Sequence, residues 1–317
     1  MEVVFGPQRS TPPPAGSAVT IGAYDGVHLG HQHLIAELRR RAEAGGLATV
    51  VVTFDRHPAT VVRPESAPPL LTDLDQKLEL LAACGVDRTL LVPFDRQRAD
   101  ESAEEFVTEV LVDALAARSV VVGADFHFGH GRKGNVDLLT DMGRRYDFVV
   151  DGIGLQSSGA GGAGGPVSST RVRALLADGD VVGAGHLLGR PHQVRGVVER
   201  GDGRGGPELG YPTANVALSP GLALPAEGIY ACRYQRPGGA VLAAAVSFGR
   251  RPTFHERADG PLLEAHLLDF DGDLYAEEAR VSFVARLRDE VRFDDIGQLV
   301  DQMGRDVAET RRVLARA

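Results

Sequence analysis

The chain has 317 residues, a formal net charge of −9, 43% hydrophobic residues and 24% charged residues. This length and composition are typical of a globular protein with two domains, and the acidic balance argues against a general nucleic-acid binder, which needs a basic surface. No apolar run reaches membrane-spanning length, and the proline-rich segment 1–17 lacks the apolar core of a signal peptide. The two cysteines have no metal-ligand spacing and indicate a reducing compartment. We therefore expect a cytoplasmic protein without nucleic-acid or membrane partners.

The first half of the chain alternates strand and helix signals. Short apolar or β-branched runs predict strands at 18–21, 47–54, 89–92 and 119–122. Helices are predicted before Gly45-Gly46, at 74–83, after a capping box of Ser102 and Glu105, and at 136–145. Alternation of this kind implies parallel strands covered on both faces, so we expect a doubly wound α/β domain. The glycine-rich run 157–165 is interpreted as a surface loop.

After residue 188 the pattern changes to short strands separated by glycine, proline and aspartate turns. We place the domain boundary there, which gives domains 1–188 and 189–317. The spacing predicts a small antiparallel barrel or sandwich with a hairpin turn at Asp271-Gly272, and an amphipathic helix over 296–315 that packs against it. The predicted strands are 194–199, 228–234, 241–248, 262–270 and 280–287.

The segment G-A-Y-D-G-V-H-L-G-H (22–31) stands where a predicted strand passes into a predicted helix. Helix N-termini offer free N–H groups to phosphate, and glycine lets the backbone come close. The imidazoles of His28 and His31 can donate hydrogen bonds to phosphoryl oxygens as charge develops. Two other interpretations stay open from this motif alone: solvated turn residues, or a zinc site with His33, although no cysteine pair accompanies it. We assign Gly22, Tyr24 and Gly30 to the phosphate site.

Three further motifs follow in chain order. T-F-D-R-H-P (53–58) and G-A-D-F-H-F-G (123–129) come at the ends of predicted strands, and S-S-T-R-V-R (168–173) begins a helix. Hydroxyls, N–H groups and a guanidinium at a helix start suit the outer phosphates of ATP. Each motif alone also has an ordinary structural interpretation, as a turn, as core aromatic residues or as a helix cap.

H-x-G-H in this setting resembles the nucleotidylyltransferase signature, and the four motifs in order resemble the bacterial FAD synthetases. The resemblance implies adenylyl transfer, in which the phosphate of FMN attacks the α-phosphorus of ATP and pyrophosphate leaves. It implies catalytic roles for His28, His31 and Arg173. It also implies outer-phosphate binding by Ser168, Ser169 and Thr170, with Mg²⁺, and flavin binding by His57, Asp125, Phe126 and Phe128. The chain departs from the family at Ala23, Tyr24 and Arg56, where the family has a larger or polar residue, phenylalanine and proline.

The run 201–206 formally matches G-x-G-x-x-G, but Pro207 and Pro212 prevent the helix that a dinucleotide-binding motif needs. The run continues as E-L-G-Y-P-T-A-N, and the whole phrase resembles the riboflavin kinase signature. Its loop N–H groups can hold phosphate, while Thr213 and Asn215 supply oxygen ligands suited to Mg²⁺. A glycine turn between two strands is the alternative. The glycines assigned to ATP binding are Gly201, Gly203, Gly205 and Gly210.

The segment L-E-A-H-L-L-D-F-D-G-D-L-Y (263–275) resembles another riboflavin kinase motif. Strand alternation puts Glu264 on the face opposite Leu263 and Ala265. The resemblance makes Glu264 the base that takes a proton from the ribityl 5′-hydroxyl of riboflavin. A solvated strand glutamate is the alternative. Ala276 stands where the family commonly has glycine.

The resemblance extends from about Val19 to the last predicted helix. It implies a bifunctional transferase that makes FMN from riboflavin in its second domain and FAD from FMN in its first, with ATP as co-substrate of both. One alternative is a paralogue with one active module or a shifted substrate, which only Ala23 and Arg56 favour. Another is a non-catalytic flavin-binding regulator, which would lack the catalytic groups. The oligomeric state is not indicated.

Overall fold

The computed structural model describes residues 1–154, 165–200, 211–250, 261–293 and 295–316. The chain divides into two compact units, Met1–Ser169 and Thr170–Ala317. The domain boundary after residue 188 stays a prediction. The greater part of the loop predicted at 157–165 and the whole glycine-rich run 201–206 lie outside the described residues. No helix within the described ranges is both long enough and apolar enough to cross a membrane.

The first unit contains a six-stranded sheet with the order β1-β4-β3-β2-β5-β6, and all of its strand pairs are parallel. The predicted doubly wound α/β domain is thus confirmed. From β2 the chain passes to β3 and β4 on one side of the sheet and then crosses to β5 on the other side of β2. The carboxyl end of β2 is therefore the topological switch point, where ligands bind in sheets of this kind. The strands are β1 (Glu2–Phe5), β2 (Ser17–Ile21), β3 (Ala48–Phe54), β4 (Arg88–Val92), β5 (Ala117–Gly123) and β6 (Val149–Ile153).

Helix caps set where the helices of this unit begin and end. The carboxylate of Asp73 accepts a hydrogen bond from Gln76 N–H at 2.7 Å and starts the helix predicted at 74–83. Ser102 and Glu105 form the predicted capping box, and a π-helical segment, Val107–Asp113, follows it. The helices are α1 (Leu29–Gly45), α2 (Ala59–Val62), α3 (Leu74–Ala83), α4 (Arg96–Asp100), α5 (Ala103–Phe106) and α6 (Val136–Tyr146).

The core of the first unit lies along the central strands. All five residues of β2 are buried, and alternate residues of β2 and β3 pack with the π-helical segment and α6. Each fully buried valine or leucine contributes roughly 1.5–3 kcal/mol of transfer free energy. This packing fixes the central strands, so the loops at their carboxyl ends are held on a rigid base.

The second unit contains a closed six-stranded antiparallel barrel with the order β10-β11-β8-β7-β12-β9. The predicted antiparallel barrel is confirmed. The strands are β7 (His192–Glu199), β8 (Ala214–Leu218), β9 (Gly228–Gln235), β10 (Val241–Arg250), β11 (Pro261–Leu267) and β12 (Glu278–Arg288). The helices are α7 (Ser169–Ala177), which begins at the last residue of the first unit, α8 (Val181–Leu188) and α9 (Ile296–Leu314). Helix α9 packs on the barrel, where Asp306 accepts hydrogen bonds from Arg288 of β12 at 2.7–3.2 Å.

The hairpin turn predicted at Asp271-Gly272 is wrong. Strand β11 pairs with β10 and β8 and not with β12, so the connection from 268 to 277 joins strands that are not neighbours in the barrel. Two residues of this connection, Asp269 and Ala276, have positive φ angles of 56° and 63°. Glycine adopts this conformation freely, whereas for alanine it costs about 1 kcal/mol of conformational free energy. The conformation explains why glycine suits the position of Ala276.

Candidate active sites

His28 and His31 lie together at the start of α1, at the carboxyl end of β2. Their rings stack with centroids 3.6 Å apart and 12° between the planes. The Nδ1 atom of His28 accepts a hydrogen bond from the His31 N–H at 3.3 Å, so His28 is the N-cap of α1. Burial, together with the neighbouring His28, holds the pKa of His31 well below its usual range. The low pKa favours the neutral imidazole, which has one N–H group that can donate.

The loop before the histidines is tight and strained. Tyr24 and Val27 have positive φ angles of 50° and 38°, which cost a non-glycine residue about 1–2 kcal/mol each. A Cβ atom at Gly30 would lie 3.2 Å from the His28 ring, and one at Gly22 would lie 3.1 Å from the Tyr24 ring. The two glycines predicted here thus let the backbone fold closely around these rings.

Tyr24 supports the histidines from the interior. Its side chain is only 1% exposed, its ring centroid is 4.9 Å from that of His31, and its hydroxyl lies 2.7 Å from Thr20 Oγ1. Burial raises its pKa, so the hydroxyl stays protonated. The predicted phosphate contact of Tyr24 stays a prediction.

Asp25 is a structural residue of this site that sequence reasoning missed. Its buried carboxylate accepts hydrogen bonds from the N–H groups of Leu71 at 2.9 Å and Thr72 at 3.2 Å. Its carbonyl oxygen accepts a hydrogen bond from Ser169 Oγ at 2.9 Å. Asp25 therefore ties the histidine loop to two other segments. The only signal in the sequence is its place inside the motif 22–31.

The serine motif reaches the histidine loop through its first residues. The Ser169 hydroxyl bonds to the Asp25 carbonyl, and a Cβ atom at Gly30 would lie 3.4 Å from the carbonyl oxygen of Val167, just before Ser168. Thr170 and Arg173 follow in α7, in the second compact unit. Their predicted roles at the outer phosphates stay predictions.

His57 lies in a cleft at the carboxyl ends of β2 and β3. Its Nδ1 atom accepts a hydrogen bond from the Ala59 N–H at 3.1 Å, which fixes the turn that begins α2. Arg56, which stands where the family has proline, forms an ion pair with Asp55 at 3.1 Å. The cleft is lined by Ala23, Asp25, Asp55, Arg56, His57, Leu70, Thr72, Asp73, Leu74 and Lys77.

The aromatic residues predicted to bind flavin follow β5, the strand next to β2. Phe126 and Phe128 stack with centroids 5.4 Å apart, and both are half-buried against the edge of the core. Asp125 is exposed, and its carbonyl oxygen lies 2.8 Å from His127 Nδ1. Because parallel neighbours end at the same edge, this motif and the histidines share the carboxyl edge of the sheet. Their flavin-binding role stays a prediction.

In the second unit, the predicted base and metal ligand are direct partners across two strands. Glu264 of β11 lies opposite Asn215 of β8 on one side and opposite Ser247 of β10 on the other. Side chains opposite each other in an antiparallel pair share a face, with Cβ atoms about 4.5–5.5 Å apart. Leu263 and Ala265 are buried while Glu264 is half-buried, which confirms the predicted alternation.

Ser247 is the residue of this face that sequence reasoning missed. Its hydroxyl donates a hydrogen bond to Glu290 Oε1 at 3.1 Å, so a second carboxylate lies beside the Glu264 face. Thr213 is exposed just before β8. No group of three or more histidine, cysteine, aspartate or glutamate side chains within the described ranges is arranged to hold a metal ion. The predicted phosphate-binding glycines Gly201, Gly203, Gly205 and Gly210 lie outside the described residues.

Comparison with known proteins finds two families in chain order. A model of the FAD synthetase family matches residues 10–171, and a model of the riboflavin kinase family matches residues 188–314. Proteins named bifunctional riboflavin kinase/FMN adenylyltransferase are similar along their whole length. The one from Pseudomonas fluorescens is 39% identical over 99% of this chain and 98% of its own. The one from Escherichia coli K12 is 38% identical, over 95% and 94%.

A solved structure has the same fold over nearly the whole chain. It is the crystal structure of a macrolide-efflux protein from Streptococcus pneumoniae, with a TM-score of 0.86 and 30% identity. The match covers 98% of this chain and 99% of that one, so both units are present in the same order.

Proposed function

We propose, because the chain belongs to the family of bifunctional riboflavin kinase/FMN adenylyltransferases, that it makes FMN from riboflavin and then FAD from FMN, with ATP consumed in both steps. The observation that carries this proposal is the match of both family models, in order, to a chain whose two units are a parallel α/β sheet and a closed barrel. A regulator without activity or a chain with one active module is not favoured. The catalytic groups predicted for both reactions are present.

Adenylyl transfer belongs in this proposal to the predicted domain 1–188, which contains the first unit and α7. The FMN phosphate attacks the α-phosphorus of ATP, and pyrophosphate leaves. His28 and His31, stacked at the N-terminus of α1, donate hydrogen bonds to the phosphoryl oxygens as charge develops there. Ser168, Ser169, Thr170 and Arg173 hold the outer phosphates, while His57, Asp125, Phe126 and Phe128 receive the flavin. Positioning and charge stabilisation supply the acceleration, so no protein nucleophile is needed.

Riboflavin phosphorylation belongs to the second unit. Glu264 takes the proton from the ribityl 5′-hydroxyl as that oxygen attacks the γ-phosphorus of ATP, and ADP leaves. The cross-strand partner Asn215 and the exposed Thr213 offer an amide and a hydroxyl oxygen, which are donors that fit Mg²⁺. The bound ion would neutralise charge on the ATP phosphates. We also propose that the protein is cytoplasmic and that the boundary between its two domains lies between residues 188 and 189.

A time course with purified protein tests this function. The protein is incubated with riboflavin, ATP and Mg²⁺, and the flavins are separated by chromatography. We expect FMN to appear first and FAD to follow. If FMN accumulates without FAD, the proposed adenylyltransferase activity is excluded. If FAD forms only from supplied FMN, the proposed kinase activity is excluded. Conversion of neither flavin would favour the regulator.

A further inference from the structure

A lysine is buried beneath the cleft of the first unit. Lys77 of α3 is 8% exposed, and its Nζ atom donates a hydrogen bond to the carbonyl oxygen of Phe54, the last residue of β3, at 2.7 Å. Within the described residues this is the one hydrogen bond of its ammonium group. Burying a charge with so few partners is costly, and an apolar side chain of similar length would fill the same space. The placement of Lys77 therefore calls for a reason other than stability.

The carboxylates that face Lys77 belong to the loops that carry the candidate site. Asp25 lies in the loop after β2 and Asp55 in the loop after β3, and both attract the ammonium group. Both carboxylates are themselves fixed by main-chain N–H groups, those of Leu71 for Asp25 and of Phe94 for Asp55, each at 2.9 Å. The ammonium group thus contacts the end of β3 through the Phe54 carbonyl group, and it lies in the same cleft as the carboxylates of Asp25 and Asp55.

The charges around the cleft argue against a phosphate site on Lys77 itself. The other charged or titratable groups that line the cleft are Asp25, Asp55 and Asp73 on the acidic side and Arg56 and His57 on the basic side. Three carboxylates against the two permanent or near-permanent cations Lys77 and Arg56 leave the cleft with a negative balance, which disfavours an anionic ligand. The same carboxylates suit a cation that holds two loops together.

We propose that Lys77 is a positioning residue for adenylyl transfer. Its ammonium group fixes the positions of the loops after β2 and β3 relative to each other. The inference rests on the proposed function of the first unit. Placement of reacting groups within a fraction of an ångström changes the reaction rate by orders of magnitude. Greater mobility of a loop that carries such groups therefore lowers the rate, even when the residue that restrains the loop does not contact the substrate.

The protonation state of Lys77 gives a readout that packing alone would not move. Burial lowers the pKa of Lys77 to about 8, although Asp25 and Asp55 partly offset this. As the pH rises through this value the ammonium group loses its proton, and the attraction to both carboxylates disappears. FAD formation should therefore fall on the alkaline side in a way that depends on Lys77.

The test compares the wild-type chain with Lys77→Met and Lys77→Arg, using supplied FMN, ATP and Mg²⁺ between pH 6.5 and 9.5. At pH 7 we expect Lys77→Met to lower kcat for FAD formation by about tenfold or more. The decrease in wild-type activity at alkaline pH, here called the alkaline limb, should be absent from the pH profile of this variant. Lys77→Arg keeps a charge at every pH, so it should retain most of the activity without that limb. Phosphorylation of riboflavin by the same preparations should stay at the wild-type rate.

Each result decides the question. Lys77→Met within twofold of wild type, or with an unchanged alkaline limb, overturns the inference. If Lys77→Met does not fold by circular dichroism, Lys77→Arg decides alone: activity without the limb supports the proposal, and a folded but inactive protein or an unchanged limb overturns it. A wild-type chain that forms no FAD would overturn the proposed function itself, and the inference with it.

Discussion

The stacked pair His28 and His31 belongs to the first unit alone, so its loss should remove one of the two proposed reactions. We expect His28→Ala to lower FAD formation from FMN by about 10²-fold or more, because hydrogen-bond donors aimed at developing charge contribute this much. FMN formation from riboflavin should keep its wild-type rate. Both rates are measured on the same preparation by chromatography of the flavins.

A matched variant separates chemistry from helix capping at this position. The Nδ1 atom of His28 caps α1, and an alanine N-cap costs about 1 kcal/mol. Asparagine is a good N-cap without an imidazole, so His28→Asn should restore the thermal stability of the first unit and leave FAD formation low. Recovery of FAD formation in His28→Asn would show that the cap, and not the imidazole, is what the reaction needs.

Glu264 gives the corresponding prediction for the second unit. Glu264→Gln keeps the shape of the side chain beside Asn215 and Ser247 but removes the base, so riboflavin phosphorylation should fall by about 10²–10⁴-fold. FAD formation from supplied FMN should not change. Glu278, an exposed glutamate of β12, is the matched control, and Glu278→Gln should leave both rates unchanged. Normal kinase turnover in Glu264→Gln would exclude Glu264 as the base.

Among the strands of the barrel, β7 begins with a buried titratable group. His192 is 2% exposed, its Nε2 atom lies 2.9 Å from the Ala223 carbonyl oxygen, and its ring packs 6.3 Å from that of Phe283. Burial lowers its pKa to about 4, well below the ordinary value of about 6.5 that applies to the unfolded chain. Between these values the unfolded chain binds more protons than the folded one, so stability decreases as the pH falls through this window.

We expect His192 to make the free energy of unfolding of the second unit about 2 kcal/mol lower at pH 5 than at pH 7. His192→Asn keeps a donor for the Ala223 carbonyl group and removes this titration. Urea unfolding of both proteins at the two pH values measures the difference. An equal loss of stability in both proteins on acidification would assign the effect to other groups.

Elements whose signals are local could be predicted from the sequence. Helix α3 has its cap at Asp73 and its apolar residues at helical spacing, and β3 is a continuous β-branched run. The edge strand β1 was missed because four residues before a proline-rich stretch carry too little pattern. The prediction of a hairpin turn at Asp271-Gly272 was wrong for a different reason. A hairpin signal is local, whereas the partners of β11 are set by closure of the barrel.

The candidate sites show the same division between local and tertiary information. His28, His31, Asn215 and Glu264 stand in motifs that can be recognised without a structure. Lys77 and Asp25 cannot be found in this way. A lysine in an amphipathic helix normally points to solvent, and only the packing of α3 under the β3 loop buries this one. The pairing of Glu264 with Asn215 also depends on strand register, which the sequence alone does not define.

At the scale of the molecule, the two proposed reactions belong to the two predicted domains, 1–188 and 189–317, and the product of one reaction is the substrate of the other. The stacked histidines lie in the first unit, and the Glu264–Asn215 pair lies in the barrel of the second. FMN therefore needs only to leave one site and bind at the other, and nothing in either chemistry requires both sites on the same polypeptide.

This independence predicts that two defective variants complement each other in solution. His28→Ala should convert riboflavin to FMN and stop, and Glu264→Gln should convert supplied FMN to FAD but not start from riboflavin. An equimolar mixture given riboflavin, ATP and Mg²⁺ should form FAD after a lag, while the double variant at the same concentration should form none. If the wild-type chain forms FAD without free FMN appearing, while the mixture forms FAD only after free FMN has accumulated, FMN passes between the sites of one chain without release, and the model of two independent sites fails.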